Sequence, residues 1–151
     1  MIKVYHAGPQ VFEKHFFGIK EEREKIAKNM GIELLFPFDV SVTEPQDIKN
    51  LNKKLIEKAD FVVADISPFI GPSMDPGTAY EIGYAEALGK WVYLYSEMHN
   101  TTFIQRVPEC LKDLKNYENF GLTENLMITA CNNVYKSYED ALEAIVLERN
   151  M

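Results

Sequence analysis

Four short apolar runs, at 2–7, 32–36, 61–65 and 91–95, alternate along the chain with longer, more polar segments. The run Phe61-Val62-Val63-Ala64-Asp65 is apolar until its last residue, which is the pattern of a strand covered on both faces. The intervening segments 12–29 and 46–58 read as helices, the first stopped by Gly31. A polar stretch at 96–123 looks irregular, with one short helix expected at 109–115. A fifth strand is expected at 133–135, and a closing helix at 137–149 with Ser137 as its N-cap. Strands that alternate with helices pair in parallel through right-handed crossovers. The expectation is therefore a single domain, 1–151, of the α/β class: a flavodoxin-like open parallel five-stranded sheet with helices on both faces.

Such sheets bind ligands beyond the carboxyl ends of their strands, where the strand order reverses. That rule gathers the loops at 5–9, 37–39, 65–77 and 96 onward on one edge. The third of these loops runs into the most informative stretch of the chain, Asp75-Pro76-Gly77-Thr78-Ala79-Tyr80-Glu81-Ile82-Gly83-Tyr84-Ala85. Asp75 fits an N-cap, Pro76 the first helical position, and Gly89 a helix stop. The small residues Ala79, Gly83, Ala85 and Ala87 are expected to let this helix lie close on the sheet. Glu81 sits one turn inside it, with Tyr84, Ala85 and Leu88 as its neighbours at i+3, i+4 and i+7. A carboxylate among such neighbours is unfavourable unless the site uses its charge.

Composition narrows what that use can be. The formal net charge of −7 opposes a general affinity for nucleic acid or anionic membrane, but not for a neutral small molecule. No apolar run approaches the roughly 20 residues that span a bilayer. The first residues read as a strand and not as a signal peptide, so a cytoplasmic protein is expected. Cys110 and Cys131 have neither metal-ligand spacing nor the density of a disulfide scaffold, and His6, His15 and His99 show no metal spacing. No metal and no cofactor is expected.

Val4-Tyr5-His6-Ala7-Gly8-Pro9, Ala59-Asp60-Phe61-Val62-Val63-Ala64-Asp65, the 75–85 stretch and Asn125-Leu126-Met127 together resemble the nucleoside 2-deoxyribosyltransferase family. The resemblance runs almost from end to end. It implies an enzyme that moves 2-deoxyribose between nucleobases, with 2'-deoxynucleosides and free bases as substrates. Glu81 matches the family's nucleophile, which bonds to the anomeric carbon as the first base leaves. Two displacements at one carbon, through an oxocarbenium-like transition state, follow the logic of retaining glycosidases. Tyr5 matches a phenol that orients this carboxylate. Asp75 matches a carboxylate that accepts a hydrogen bond from a sugar hydroxyl, a task compatible with capping because it has two oxygens.

The resemblance further implies substrate contacts. Asn52 matches a position set against the nucleobase edge, although on its own it reads as an exposed helix residue. Gly8 lies in the first loop of the expected edge and is counted with the substrate-binding residues. Asn125 and Met127 match a segment that reaches into a neighbouring subunit's active site, which implies a homo-oligomer. Asn cannot protonate the departing base, and Asp65 at the end of its strand is an alternative, with an ordinary structural role equally open. Phe12, Phe16, Phe17, Phe38 and Phe69 place aromatics near the same edge, most of them expected to serve packing.

Two other functions fit parts of the pattern. Related N-glycosidases that hydrolyse deoxynucleoside 5'-monophosphates share the helix signature. They carry a Gly-Ser-Ile-Arg-like first loop for the phosphate, however, and here that loop is His6-Ala7-Gly8-Pro9-Gln10. A non-catalytic flavodoxin-like nucleotide-binding module is allowed by the fold alone.

Overall fold

The computed structural model describes residues 1–150. Five strands, β1 (Ile2–Ala7), β2 (Ile32–Leu35), β3 (Phe61–Asp65), β4 (Trp91–Tyr95) and β5 (Val134–Tyr135), form one sheet in the order β2-β1-β3-β4-β5. Every pairing is parallel, with Tyr5 of β1 opposite Leu35 on one side and Val62 on the other. The chain steps outward from β1 to β2 and then returns to place β3 on the far side of β1. The strand order therefore reverses at β1 and β3, and their carboxyl ends frame the crevice where ligands bind in such sheets.

The long helices are α1 (Phe16–Asn29), α2 (Pro45–Lys58), α3 (Pro76–Ala87) and α7 (Tyr138–Arg149). Three one-turn helices, α4 (Phe103–Arg106), α5 (Glu109–Lys112) and α6 (Leu126–Thr129), break up the polar stretch between β4 and β5. Strand alternation sends neighbouring side chains to opposite faces. Tyr5, Ala7, Val62 and Ala64 pack with Ile56 of α2 and Ile82 and Ala85 of α3. Val4, Val63 and Tyr95 pack on the other face with Ala27 of α1 and Ala141, Leu142 and Ile145 of α7.

Some local expectations are corrected. The helix expected from residue 12 starts at Phe16, after a 3-10 turn (Pro9–Phe12) that holds Gln10 buried at the sheet edge. The helix at 109–115 ends at Lys112. Of the small residues of α3 only Ala79 and Ala85 pack toward the core, beside Ile82, whereas Gly83 and Ala87, and Leu88 just past the helix, lie exposed. Among the small residues, close approach to the sheet thus rests on these two alanines.

Candidate active site

Asp75 starts α3 as its N-cap. One oxygen, Oδ2, accepts from both Thr78 N and Thr78 Oγ1 at 2.8 Å. The carboxylate is thereby buried and aimed at the first turn, where the helix dipole favours it. Pro76 supplies the preset φ of the first helical residue. Glu81 follows one turn later and points back toward the end of β1. Tyr5 meets it there, fully buried. The phenol lies close enough to influence Glu81's ionisation, yet Tyr5 Oη and Glu81 Oε2 are both buried without a partner in hydrogen-bonding geometry.

Two unsatisfied polar atoms side by side in a protein interior are unusual, because each forfeits its hydration. The electrostatics follow. Burial pushes the Glu81 carboxyl up to about 7, helped by the nearby Asp75 charge, while the Tyr5 phenol pulls it down. Burial, and next the Glu81 charge, hold Tyr5 well above the usual phenol range. Glu81 is therefore poised to change ionisation near neutrality, as perturbed carboxyl groups at functional sites often are.

A cavity of about 430 Å³ opens beside Glu81, between α2 and α3. Gly77, Tyr80 and Glu81 line it from α3, and Pro45, Ile48, Asn52 and Ile56 from α2. Its walls are mainly apolar, with few polar groups converging, as small-molecule pockets are built. Asn52 presents a buried Oδ1 that no protein group satisfies. Lys49 lies over the Tyr80 ring at 5.1 Å and Lys53 over Tyr84 at 4.8 Å, tying α2 to α3 at the mouth.

Glu81, Tyr5, Asp75 and Asn52 thus converge on one corner of the sheet. The other candidates do not join them. Asp65 turns to the α1–α7 face, where it accepts from Gln10 Nε2 and from Ser67 N, and it lines a separate cavity. Gly8 is required by close approach: a Cβ there would lie 2.2 Å from Gln10 Oε1 and 3.0 Å from Asp65 Cβ. It does not line the Glu81 cavity. Asn125 caps α6 by accepting from Met127 N, and both side chains are exposed, Met127 at 76%. Phe12 and Phe69 pack on each other, as do Phe16, Phe17 and Phe38, away from the Glu81 cavity.

One element of the site had no signature in the chain. Glu124, only 1% exposed, accepts from Ser73 Oγ, Met74 N and Asn125 N. Arg106 lies 3.7 Å from it and donates to the carbonyls of Pro72 and Thr123 and to Thr101 Oγ1. This pair clamps the loop that delivers Asp75, with Arg106 34 positions from its partner Pro72 and Glu124 51 from Ser73. Among the described residues no group of three His, Cys, Asp or Glu could hold a metal ion, and no helix is long and apolar enough to cross a membrane.

Fold and site together describe a flavodoxin-like α/β protein with a poised carboxylate at the switch point of its sheet. The family model for nucleoside 2-deoxyribosyltransferases matches residues 4–127, and the chain belongs to that family. A 2-deoxyribosyltransferase from Leishmania mexicana is similar over 97% of this chain and 98% of its own, with a TM-score of 0.82 and 32% identity. A CMP N-glycosidase from Clostridium botulinum, at 22% identity and a TM-score of 0.52 over 97% and 98% of the two chains, shares the fold. An uncharacterised protein of Schizosaccharomyces pombe is 36% identical over 97 residues, 58% of this chain. The match spans 46% of that yeast protein's length.

Proposed function

We propose that this protein transfers 2-deoxyribose from one nucleobase to another through an ester on Glu81. The supporting observation is the Glu81–Tyr5 pair: a carboxylate with a buried, unsatisfied oxygen beside a mainly apolar cavity of about 430 Å³. In the first step a Glu81 oxygen bonds to C1' of a 2'-deoxynucleoside. The C1'–N bond breaks, its electron pair stays on the base, and a proton from water or the medium completes the free base. In the second step a nitrogen of another base displaces the carboxylate and sheds its proton. The carboxylate stabilises the positive charge that develops at C1', and a sugar without a 2'-hydroxyl forms that cation more readily.

Tyr5 holds the attacking carboxylate in place and lowers its pKa. Asp75 keeps one oxygen on Thr78 and offers the other to a sugar hydroxyl. Asn52 can accept from and donate to a base edge, with Tyr80 and Ile48 available against its ring. Exposed Asn125 and Met127 are read as completing the site of a second copy of the chain, so the active form is a homo-oligomer. A neutral deoxynucleoside is preferred over a nucleotide at the Glu81 site because the His6-Ala7-Gly8-Pro9-Gln10 loop lacks the Ser and Arg that hold a 5'-phosphate in the related hydrolases.

The test is to incubate the protein with one deoxynucleoside and a different free base, and to separate the products by chromatography. A new deoxynucleoside is expected, and its formation should be abolished in Glu81→Gln. Free deoxyribose as the only sugar product would establish hydrolysis instead. Turnover in Glu81→Gln near the parent rate would remove the nucleophile assignment.

A further inference from the structure

A second cavity, about 640 Å³, lies on the opposite face of the sheet from Glu81. It is enclosed by the 3-10 turn after β1, the inner side of α1, the loop after β3 and the first turn of α7. Asp65 and Tyr95, at the ends of β3 and β4, reach it from the sheet.

The lining is polar in a way that packing does not explain. Arg23 reaches in from α1, its guanidinium 4.4 Å from the Tyr138 ring centroid and 5.4 Å from that of Tyr95. Its Nε and Nη1 are buried with no hydrogen-bond partner. None of the ion pairs among the described residues involves Arg23, although acidic residues outnumber basic ones 23 to 16. Two tyrosines thus hold the guanidinium in place while its donors go unused, an arrangement ready for an oxyanion.

Across the cavity the chemistry reverses. Gln10, 6% exposed, gives its amide to the Asp65 carboxylate and leaves Oε1 buried and unpartnered. That wall calls for hydroxyl or amino donors. A bare anion is disfavoured by the glutamates around the rim, Glu13, Glu22, Glu97 and Glu139, which leave Lys136 as the one cation beside Arg23. The occupant must therefore carry a single anionic end for Arg23 and Lys136, and donor groups at a distance from it. A cavity of this size accommodates a ligand larger than an amino acid.

We propose that this cavity binds a nucleoside 5'-monophosphate, with its phosphate on Arg23 and Lys136 and its 3'-hydroxyl donating to Asp65 or Gln10 Oε1. The site is separate from the Glu81 cavity and does not depend on the reaction assigned there. The loop that forms one wall of it continues directly into Asp75, so occupancy bears on the position of the α3 N-terminus.

Titration calorimetry on the whole protein tests this, with dAMP, inorganic phosphate and a deoxynucleoside as separate probes. To keep chemistry out of the measurement, dAMP is titrated into Glu81→Gln saturated with the deoxynucleoside. Binding is expected to persist there, to weaken at least tenfold in Arg23→Gln and to recover partly in Arg23→Lys. Inorganic phosphate alone should bind at least tenfold more weakly than dAMP. Lys136→Ala, an exposed rim substitution, should weaken dAMP severalfold with no change in Tm, which guards against misfolding of the Arg23 variants. Competition between dAMP and the deoxynucleoside, indifference of dAMP binding to Arg23→Gln or Lys136→Ala, or no binding at millimolar dAMP would each overturn the proposal.

Discussion

Replacing Glu81 by Gln should make the protein more stable, and only above a definite pH. The folded protein holds this carboxyl at about 7 against an ordinary 4.5, chiefly because it is buried. Each pH decade is worth about 1.4 kcal/mol, so the ionised side chain costs the fold about 3 kcal/mol. Residual contact with the cavity screens part of this, and about 2–3 kcal/mol is the working figure. The sign follows from proton binding. Between pH 4.5 and 7 the folded state retains a proton that the unfolded chain has lost, so stability falls as pH rises through this window. Above pH 7 the full cost is present, and below 4.5 it vanishes. Glutamine carries no such charge. Thermal unfolding of the two proteins should give equal Tm values near pH 4.5. By pH 8 the variant should melt on the order of 5–10 °C higher. A parent that equals or exceeds Glu81→Gln in stability at pH 8 would refute the claim that the site stores strain in a desolvated carboxylate.

The activity should carry the same ionisation, with kcat/KM losing a factor of ten per pH unit below about 7. Tyr5→Phe removes the group that holds Glu81's pKa down, so the acid limb of the pH profile should move to higher pH. Asp75→Asn removes a like charge and should move it to lower pH; pH–rate profiles of the pair decide both directions. Arg106→Ala leaves buried Glu124 without its cation, at a cost of about 3–5 kcal/mol. Tm should fall by on the order of 10 °C, and proteolysis should concentrate in the 67–74 loop.

Much of this protein can be read along the chain. The apolar runs, the helix between them and the Asp75–Pro76 start of α3 are local properties, decided by side-chain periodicity and by backbone chemistry within a few residues. Glu81 stood out for the same reason, as a charge at a position that a sheet-packed helix would normally give to an apolar residue. Even there the local argument was incomplete: Leu88, counted among its apolar neighbours, is 45% exposed. Tyr5 and α2, which also border it, are brought near only by folding.

What the tertiary structure alone decided is which polar groups share a space. In the sequence Asp65 is a candidate to protonate the departing base, but strand alternation turns it away from the face that carries Tyr5 and Glu81 and into a separate cavity. Arg106 and Glu124 lie outside any motif, yet they hold the loop that presents Asp75. Arg23 reads in the chain as one more charge on an amphipathic helix and emerges as a guanidinium held between two tyrosines. Periodicity determines which way a side chain points from its own element. Its partners, and so its ionisation and chemistry, depend on elements that are distant in sequence and meet only when the sheet is assembled.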